Sequence, residues 1–94
     1  MAITLFIPTA LRQFTEGKAD VSLAAPTVGA ALESLTDTYP DLRRHLFSAP
    51  GALRSFVNVY VNDEDIRSAS GLETALKDGD SVLLIPSIAG GSLG

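Results

Sequence analysis

The stretch "VGAALESLTDTY", residues 28–39, decides the fold because its apolar residues recur at helical spacing. These positions share one face of the predicted helix: Val28, Leu32, Leu35 and Tyr39. Glu33 and Asp37 fall away from that face, and Thr27 can cap the first amide groups of the helix. Pro40 predicts that the helix ends near residue 39.

Two strands are predicted before this helix. "AITLFI", residues 2–7, alternates, with Thr4 and Phe6 on the face opposite its aliphatic residues, and Pro8 ends it. "DVSLA", residues 20–24, forms a second short strand after a turn that contains Gly17. Together they predict a hairpin with a long loop.

Further strands are predicted after the helix. "DLRRHLF" adds a helical turn, "SAPGALRS" is a loop, and "FVNVYV", residues 56–61, has the strongest strand pattern. "NDED", residues 62–65, is a turn that leads to a short strand, and "SVLLIP", residues 81–86, is the last strand. This order predicts an α+β domain and suits a ubiquitin-like β-grasp, a mixed sheet wrapped around one main helix. It does not fix the order of the strands in the sheet.

Composition limits the class of protein. The 94 residues are 46% hydrophobic and 19% charged, so we expect one domain over residues 1–86 and a flexible C-terminal tail at 87–94. The net charge of −4, without a basic stripe, argues against nucleic acid and against an anionic membrane surface as partners. No cysteine is present, which excludes disulfides and thiolate chemistry and fits a cytoplasmic protein. The N-terminal stretch lacks a basic region and is interpreted as a strand rather than a signal peptide.

The polar residues provide no catalytic constellation. His45 is the only histidine, and nothing nearby supplies the second group that a metal site or a catalytic base would need. The carboxylates of residues 62–65 lack the spacing and the glycine of a calcium loop. Adjacent arginines such as Arg43 and Arg44 are usually solvated or paired. We therefore predict neither an enzyme nor a metal site.

The C-terminal segment "PSIAGGSLG", residues 86–94, offers a different chemistry. Gly90 and Gly91 follow the last strand, and a glycine pair makes a thin tether that can enter an active site too narrow for a side chain. A terminal glycine is also achiral, so its activated acyl form cannot racemise. A floppy terminus is the alternative explanation.

Three segments resemble the ThiS/MoaD family of ubiquitin-like sulfur carriers, most closely its CysO type. They are "IPTALR" at 7–12, "FVNVYVNDEDIR" at 56–67 and "LKDGDSVLLIPSIAGG" at 76–91. The resemblance implies that an E1-like enzyme uses ATP to adenylate the terminal glycine, and that sulfide or a persulfide then produces a thiocarboxylate. The implied acceptor is a PLP-dependent cysteine synthase, so ATP and PLP belong to partner enzymes and no cofactor binds this chain.

Carried onto this sequence, the resemblance makes Gly91 the residue that bears the adenylate and then the sulfur, with Ala89 and Gly90 as the tether. The chain departs from the family pattern because Ser92, Leu93 and Gly94 follow, and an amide at Gly91 cannot be adenylated. We therefore predict that a metalloprotease cleaves the bond between Gly91 and Ser92. Direct use of Gly94 is the alternative, which the bulk of Leu93 disfavours.

A partner surface is expected on the sheet face that does not pack against the helix. Alternation places Phe6, Phe56 and Tyr60 there, together with either Leu83 or Ile85. The alternative is that some of these residues fill the core.

Other functions stay open at this point. The sulfur could serve cysteine, molybdopterin, thiamine or a sulfur-containing natural product. The chain could instead be a ubiquitin-like modifier conjugated through Gly91, or an interaction domain whose tail has no role.

Overall fold

The computed structural model describes residues 2–49, 52–54 and 57–86, in which a five-stranded sheet packs against one main helix. The strands are β1 Ile3–Phe6, β2 Asp20–Leu23, β3 Phe47–Ala49, β4 Ala52–Leu53, β5 Val57–Val61, β6 Glu64–Asp65 and β7 Ser81–Pro86. The helices are α1 Val28–Thr38 and α2 Arg43–Leu46, with 3-10 turns at Thr9–Phe14, Pro40–Leu42, Ile66–Ser68 and Gly71–Glu73. The expected mixed sheet with one main helix is confirmed.

Strand β7 lies at the centre of the sheet, whose order is β2-β1-β7-β5-β6. It runs parallel to β1, with Phe6 opposite Leu83, and antiparallel to β5, with Val57 opposite Pro86. The outer pairs, β1–β2 and β5–β6, are antiparallel. The last strand of the domain is therefore held on both sides, and it leads directly to residue 87.

Helix α1 forms as the sequence predicts. The Thr27 hydroxyl accepts a hydrogen bond from the backbone N–H of Ala30 at 3.2 Å, which satisfies one amide that has no partner inside the helix. Its inward residues Val28, Leu32 and Leu35 are buried. They pack in one hydrophobic core with alternate residues of the sheet: Ile3, Leu5, Val57, Val59, Val82 and Leu84.

Two local predictions are wrong. The segment "SAPGALRS" is not all loop, because β3, which starts one residue before it, pairs with β4 in a separate two-stranded sheet, with Phe47 opposite Leu53. The turn predicted over residues 62–65 is limited to Asn62 and Asp63, both with positive φ, and the short strand β6 already begins at Glu64. Burial of Phe47 in the core accompanies the formation of β3. The two-residue turn at Asn62 and Asp63 allows Val61 to pair with Glu64, so that β6 begins at once. The predicted hairpin with a long loop is confirmed by the antiparallel pairing of β1 and β2, and its loop contains the 3-10 turn Thr9–Phe14, which buries Leu11.

Within the described residues, no helix combines the length and apolar character that a membrane crossing requires. The predicted tail, residues 87–94, and Phe56 lie outside the part of the chain that the structure describes.

Candidate functional site

The residues predicted to carry the chemistry, Ala89, Gly90, Gly91 and Ser92, lie outside the described residues. Their roles as tether, modification site and cleavage site stay predictions. The structure describes the base from which they extend, which is the end of the central strand at Pro86.

An apolar patch covers the sheet face that is turned away from α1, here called the open face. Phe6, Leu83 and Ile85 are 38%, 38% and 40% exposed, and they are the large exposed hydrophobic residues of the described chain. The register places Phe6, Leu83 and Tyr60 side by side on three neighbouring strands, and Tyr60 is half-buried. The structure therefore brings four of the five predicted docking residues together, including both Leu83 and Ile85, and Phe56 lies outside the described range.

The two faces of the sheet differ sharply in burial. Leu84, between Leu83 and Ile85, is 1% exposed, and Leu5, beside Phe6, is completely buried. Successive side chains of a strand point to opposite faces. The exposed residues Phe6, Leu83 and Ile85 therefore belong to the face opposite the core. An exposed apolar group of this kind typically marks a protein-binding surface.

A groove of about 600 Å³ borders this patch at the end of β1. Its walls include Phe6 at the end of β1, Pro8 just after that strand, and Ile85 of β7. The charged residues Arg12 and Asp20 also line it. The sequence did not predict that Arg12 would lie beside the docking surface, although the segment "IPTALR" contributed to the family resemblance. No local signal predicts that Arg12 and β7 line the same groove, because their proximity depends on the fold.

The opposite end of β7 is fixed by a polar network that sequence reasoning also missed. Asp80 accepts hydrogen bonds from the backbone N–H of Lys77 at 2.7 Å and from the side-chain amide of Asn62 at 2.8 Å. The side-chain oxygen Oδ1 of Asn62 in turn accepts a hydrogen bond from the backbone N–H of Ser81 at 3.0 Å. The bond from the Lys77 N–H, and then the Asn62 amide, lower the pKa of the Asp80 carboxyl. This network fixes the start of the strand whose other end leads to the tail.

The remaining polar candidates have structural roles. The His45 ring stacks on Phe14, with 4.2 Å between ring centroids, and its buried Nε2 has no hydrogen-bond partner among the described residues. Arg43 pairs with Glu33 at 3.2 Å and with Asp37 at 3.0 Å, so the expectation of a paired arginine is met. Both contacts connect α2 to α1 rather than forming a site.

The acidic residues after β5 do not form a cation site in the described structure. Asp65 accepts a hydrogen bond from the backbone N–H of Arg67 at 2.8 Å and so caps the 3-10 turn Ile66–Ser68. Across residues 2–49, 52–54 and 57–86, no group of three histidine, cysteine, aspartate or glutamate side chains is arranged to hold a metal ion.

The mixed sheet, the single main helix and the open apolar face define a ubiquitin-like β-grasp protein. The sequence profile of the ThiS family matches residues 5–91. The chain belongs to the ThiS family, which confirms the resemblance seen in the sequence.

The relatives support this assignment over almost the full length of the chain. The sulfur carrier protein CysO of Mycobacterium tuberculosis is 47% identical over 93 residues, which cover 97% of this chain and all of that protein. Its crystal structure has a TM-score of 0.83, covering 92% of this chain and 99% of the other. CysO in the Amycolatopsis orientalis BexX/CysO complex matches with a TM-score of 0.85 and 37% identity, covering 95% of this chain and 99% of that one.

A third relative comes from the protein modifiers. The solution structure of small archaeal modifier protein 1 from Methanosarcina acetivorans has a TM-score of 0.86 and 31% identity, covering 96% of each chain. The fold is thus shared by carriers and modifiers. The relatives named CysO are small sulfur carrier proteins rather than catalysts.

Proposed function

We propose that this chain is a sulfur carrier that is activated at the carboxylate of Gly91 and holds sulfur there as a thiocarboxylate, most directly for cysteine biosynthesis. The observation that supports this proposal is 47% identity to the sulfur carrier protein CysO over nearly the whole chain. The family match extends to Gly91 and stops there, so residues 92–94 follow the shared region.

The proposed chemistry has two steps. An E1-like enzyme transfers AMP from ATP to the Gly91 carboxylate, and pyrophosphate leaves. Sulfide then displaces AMP, which leaves a C–S bond where one oxygen had been. If a partner's persulfide is the donor instead, the acyl disulfide that forms must be cleaved by a second thiol of that partner, because this chain has no cysteine. A PLP-dependent cysteine synthase would accept the sulfur, so both nucleotide and PLP stay with the partner enzymes.

This chain would contribute two parts to the reaction: the folded domain and the glycine pair at residues 90 and 91. The central strand β7 fixes the position from which the tether starts, and Gly90 and Gly91 have no side chains to obstruct a narrow active site. The open face with Phe6, Leu83 and Ile85 is the proposed docking surface for the activating enzyme. Because the chain has no cysteine, it has no thiol to hold a persulfide, and a terminal carboxylate is the remaining carrier group.

Activation at Gly91 requires cleavage of the peptide bond to Ser92. An amide carbonyl offers no carboxylate oxygen to ATP, so a protease, by family analogy a metalloprotease, must act first. Leu93 argues against activation farther along the chain, because its side chain would have to pass where the glycine tether fits.

Intact mass spectrometry tests this proposal. The full chain is incubated with ATP, sulfide and the E1-like enzyme of the same organism, with and without cell extract, beside a version that ends at Gly91. We expect loss of residues 92–94 in extract, followed by a mass gain equal to replacement of one oxygen by sulfur. A chain that ends at Gly90 is the matched control. The proposal is wrong if the version ending at Gly91 gains no sulfur, and trimming is wrong if the full chain gains sulfur uncut.

A protein modifier is the second candidate function, supported by the similarity to small archaeal modifier protein 1. The same adenylate would then react with lysine amines of other proteins. Isopeptide-linked products on a gel, absent from a strain whose copy ends at Gly90, would support the modifier. Thiocarboxylate without conjugates would support the carrier.

A further inference from the structure

The groove beside the open face lies where strand β7 loses one of its two neighbours. The pairing of β7 with β1 ends at Leu83, opposite Phe6, whereas its pairing with β5 continues to Pro86. Pro8 and the 3-10 turn Thr9–Phe14 carry the chain away from the sheet after β1. The groove of about 600 Å³ therefore runs along an edge of β7 where none of the described strands lies, which leaves room for a short extended segment.

Arg12 is a pre-oriented cation in the wall of this groove. Its Nε donates a hydrogen bond to the Ile7 carbonyl at 3.1 Å. Its own backbone carbonyl accepts from the N–H groups of Thr15 at 3.0 Å and Gly17 at 2.8 Å, so both ends of the residue are fixed. Among the described residues, neither terminal guanidinium nitrogen of Arg12 has a hydrogen-bond partner or an ion-pair partner within 4 Å.

The surroundings of Arg12 determine what can bind. The groove also contains the exposed side chains of Phe6, Leu83 and Ile85, so an occupant that covers it must carry apolar groups as well as negative charge. A fixed guanidinium binds a carboxylate through two parallel hydrogen bonds, which also define its orientation. Asp20 lies on the same groove and disfavours a run of acidic residues, so a single carboxylate flanked by apolar residues is the best fit.

We propose that the groove receives an extended segment of the E1-like activating enzyme, with one carboxylate on Arg12 and an apolar side chain against Phe6 and Ile85. This inference rests on the proposed function and adds the chemistry of the partner. A second copy of this chain is a poor occupant because each copy carries a net charge of −4.

Titration calorimetry of the full chain against the E1-like enzyme tests the pairing. We expect Arg12→Gln to weaken binding by about ten-fold, because a charge-assisted pair loses its cation. The dependence of Kd on salt should also become shallower. Arg12→Lys should restore part of the affinity, since it returns the charge without the planar fork. Arg44→Gln is the matched control: it removes the same charge from an exposed site on α2, far from the groove in sequence and outside its walls.

The results separate this inference from the proposed function. Equal affinity and equal salt dependence for Arg12→Gln and Arg44→Gln would overturn the Arg12 pairing even if Gly91 is converted to a thiocarboxylate. Absence of binding by the wild-type chain would overturn it as well. Circular dichroism confirms that each variant is folded. If Arg12→Gln is not, Arg12→Lys should still bind more weakly than Arg44→Gln, because it lacks the planar fork, and equal affinity of these two variants would overturn the pairing.

Discussion

Leu83 and Leu84 provide the sharpest test of which face of the sheet docks a partner. They are adjacent on β7, yet Leu83 is 38% exposed and Leu84 is 1% exposed. The same change, leucine to alanine, should therefore have opposite consequences at the two positions. Leu84→Ala leaves a cavity in the core and should cost about 3–5 kcal/mol of unfolding free energy.

The effect on docking follows from the exposed fraction of Leu83. Full burial of a leucine side chain contributes about 1.5–3 kcal/mol. The 38% that is still exposed can therefore contribute about 0.6–1.1 kcal/mol when a partner covers it. Leu83→Ala should then raise the Kd for the activating enzyme about 3- to 7-fold, at a smaller cost in stability than Leu84→Ala.

Urea denaturation followed by circular dichroism measures the first quantity, and titration calorimetry with the activating enzyme measures the second. Leu84→Ala is compared at a temperature where it is still fully folded, and its Kd should then match that of the wild type. The reasoning fails if Leu83→Ala binds as tightly as the wild type, or if it destabilises the fold as much as Leu84→Ala.

Two further variants test the structure that supports the site. The pKa of Asp80 is lowered in the folded protein, so its carboxylate adds stability above the ordinary pKa of about 3.9 and loses this contribution as the pH falls through the folded value. The stability difference between wild type and Asp80→Asn in urea should shrink below about pH 4, and a constant difference would contradict this. Gly29→Ala would place its Cβ 3.0 Å from the Leu72 carbonyl oxygen. It should therefore fail to give the gain of about 1 kcal/mol that alanine provides in a helix, and a full gain in the same assay would refute the close contact.

The sequence predicted those parts of the fold that depend on local patterns. The cap at Thr27 and the apolar face of α1 are set by spacing within one helix, and both are confirmed. The bounds of β7, Ser81–Pro86, follow from a turn before a run of apolar residues, and they match the prediction. Alternation also placed Phe6 on the open face, because a strand with one buried face has its register fixed by that pattern.

The features that escaped prediction depend on residues far apart in the chain. The Asn62–Asp80 bond joins two turns separated by 18 residues, and neither turn signals the other. The groove at Arg12 exists only because β7 runs beyond the end of β1 in a parallel pair. The strands β3 and β4 are short, and packing of Phe47 into the core decides their formation more than propensity does.

The central position of β7 has a mechanical consequence. A force on the segment beyond Pro86 acts along the axis of β7, which is paired with β5 over residues 82–86 and with β1 over residues 81–83. Such a force loads the two ladders in shear, so their hydrogen bonds resist together, whereas an edge strand such as β2 could be peeled away one bond at a time. The domain is thus expected to stay folded when its C-terminal end is pulled, as the proposed cleavage and activation at that end would require.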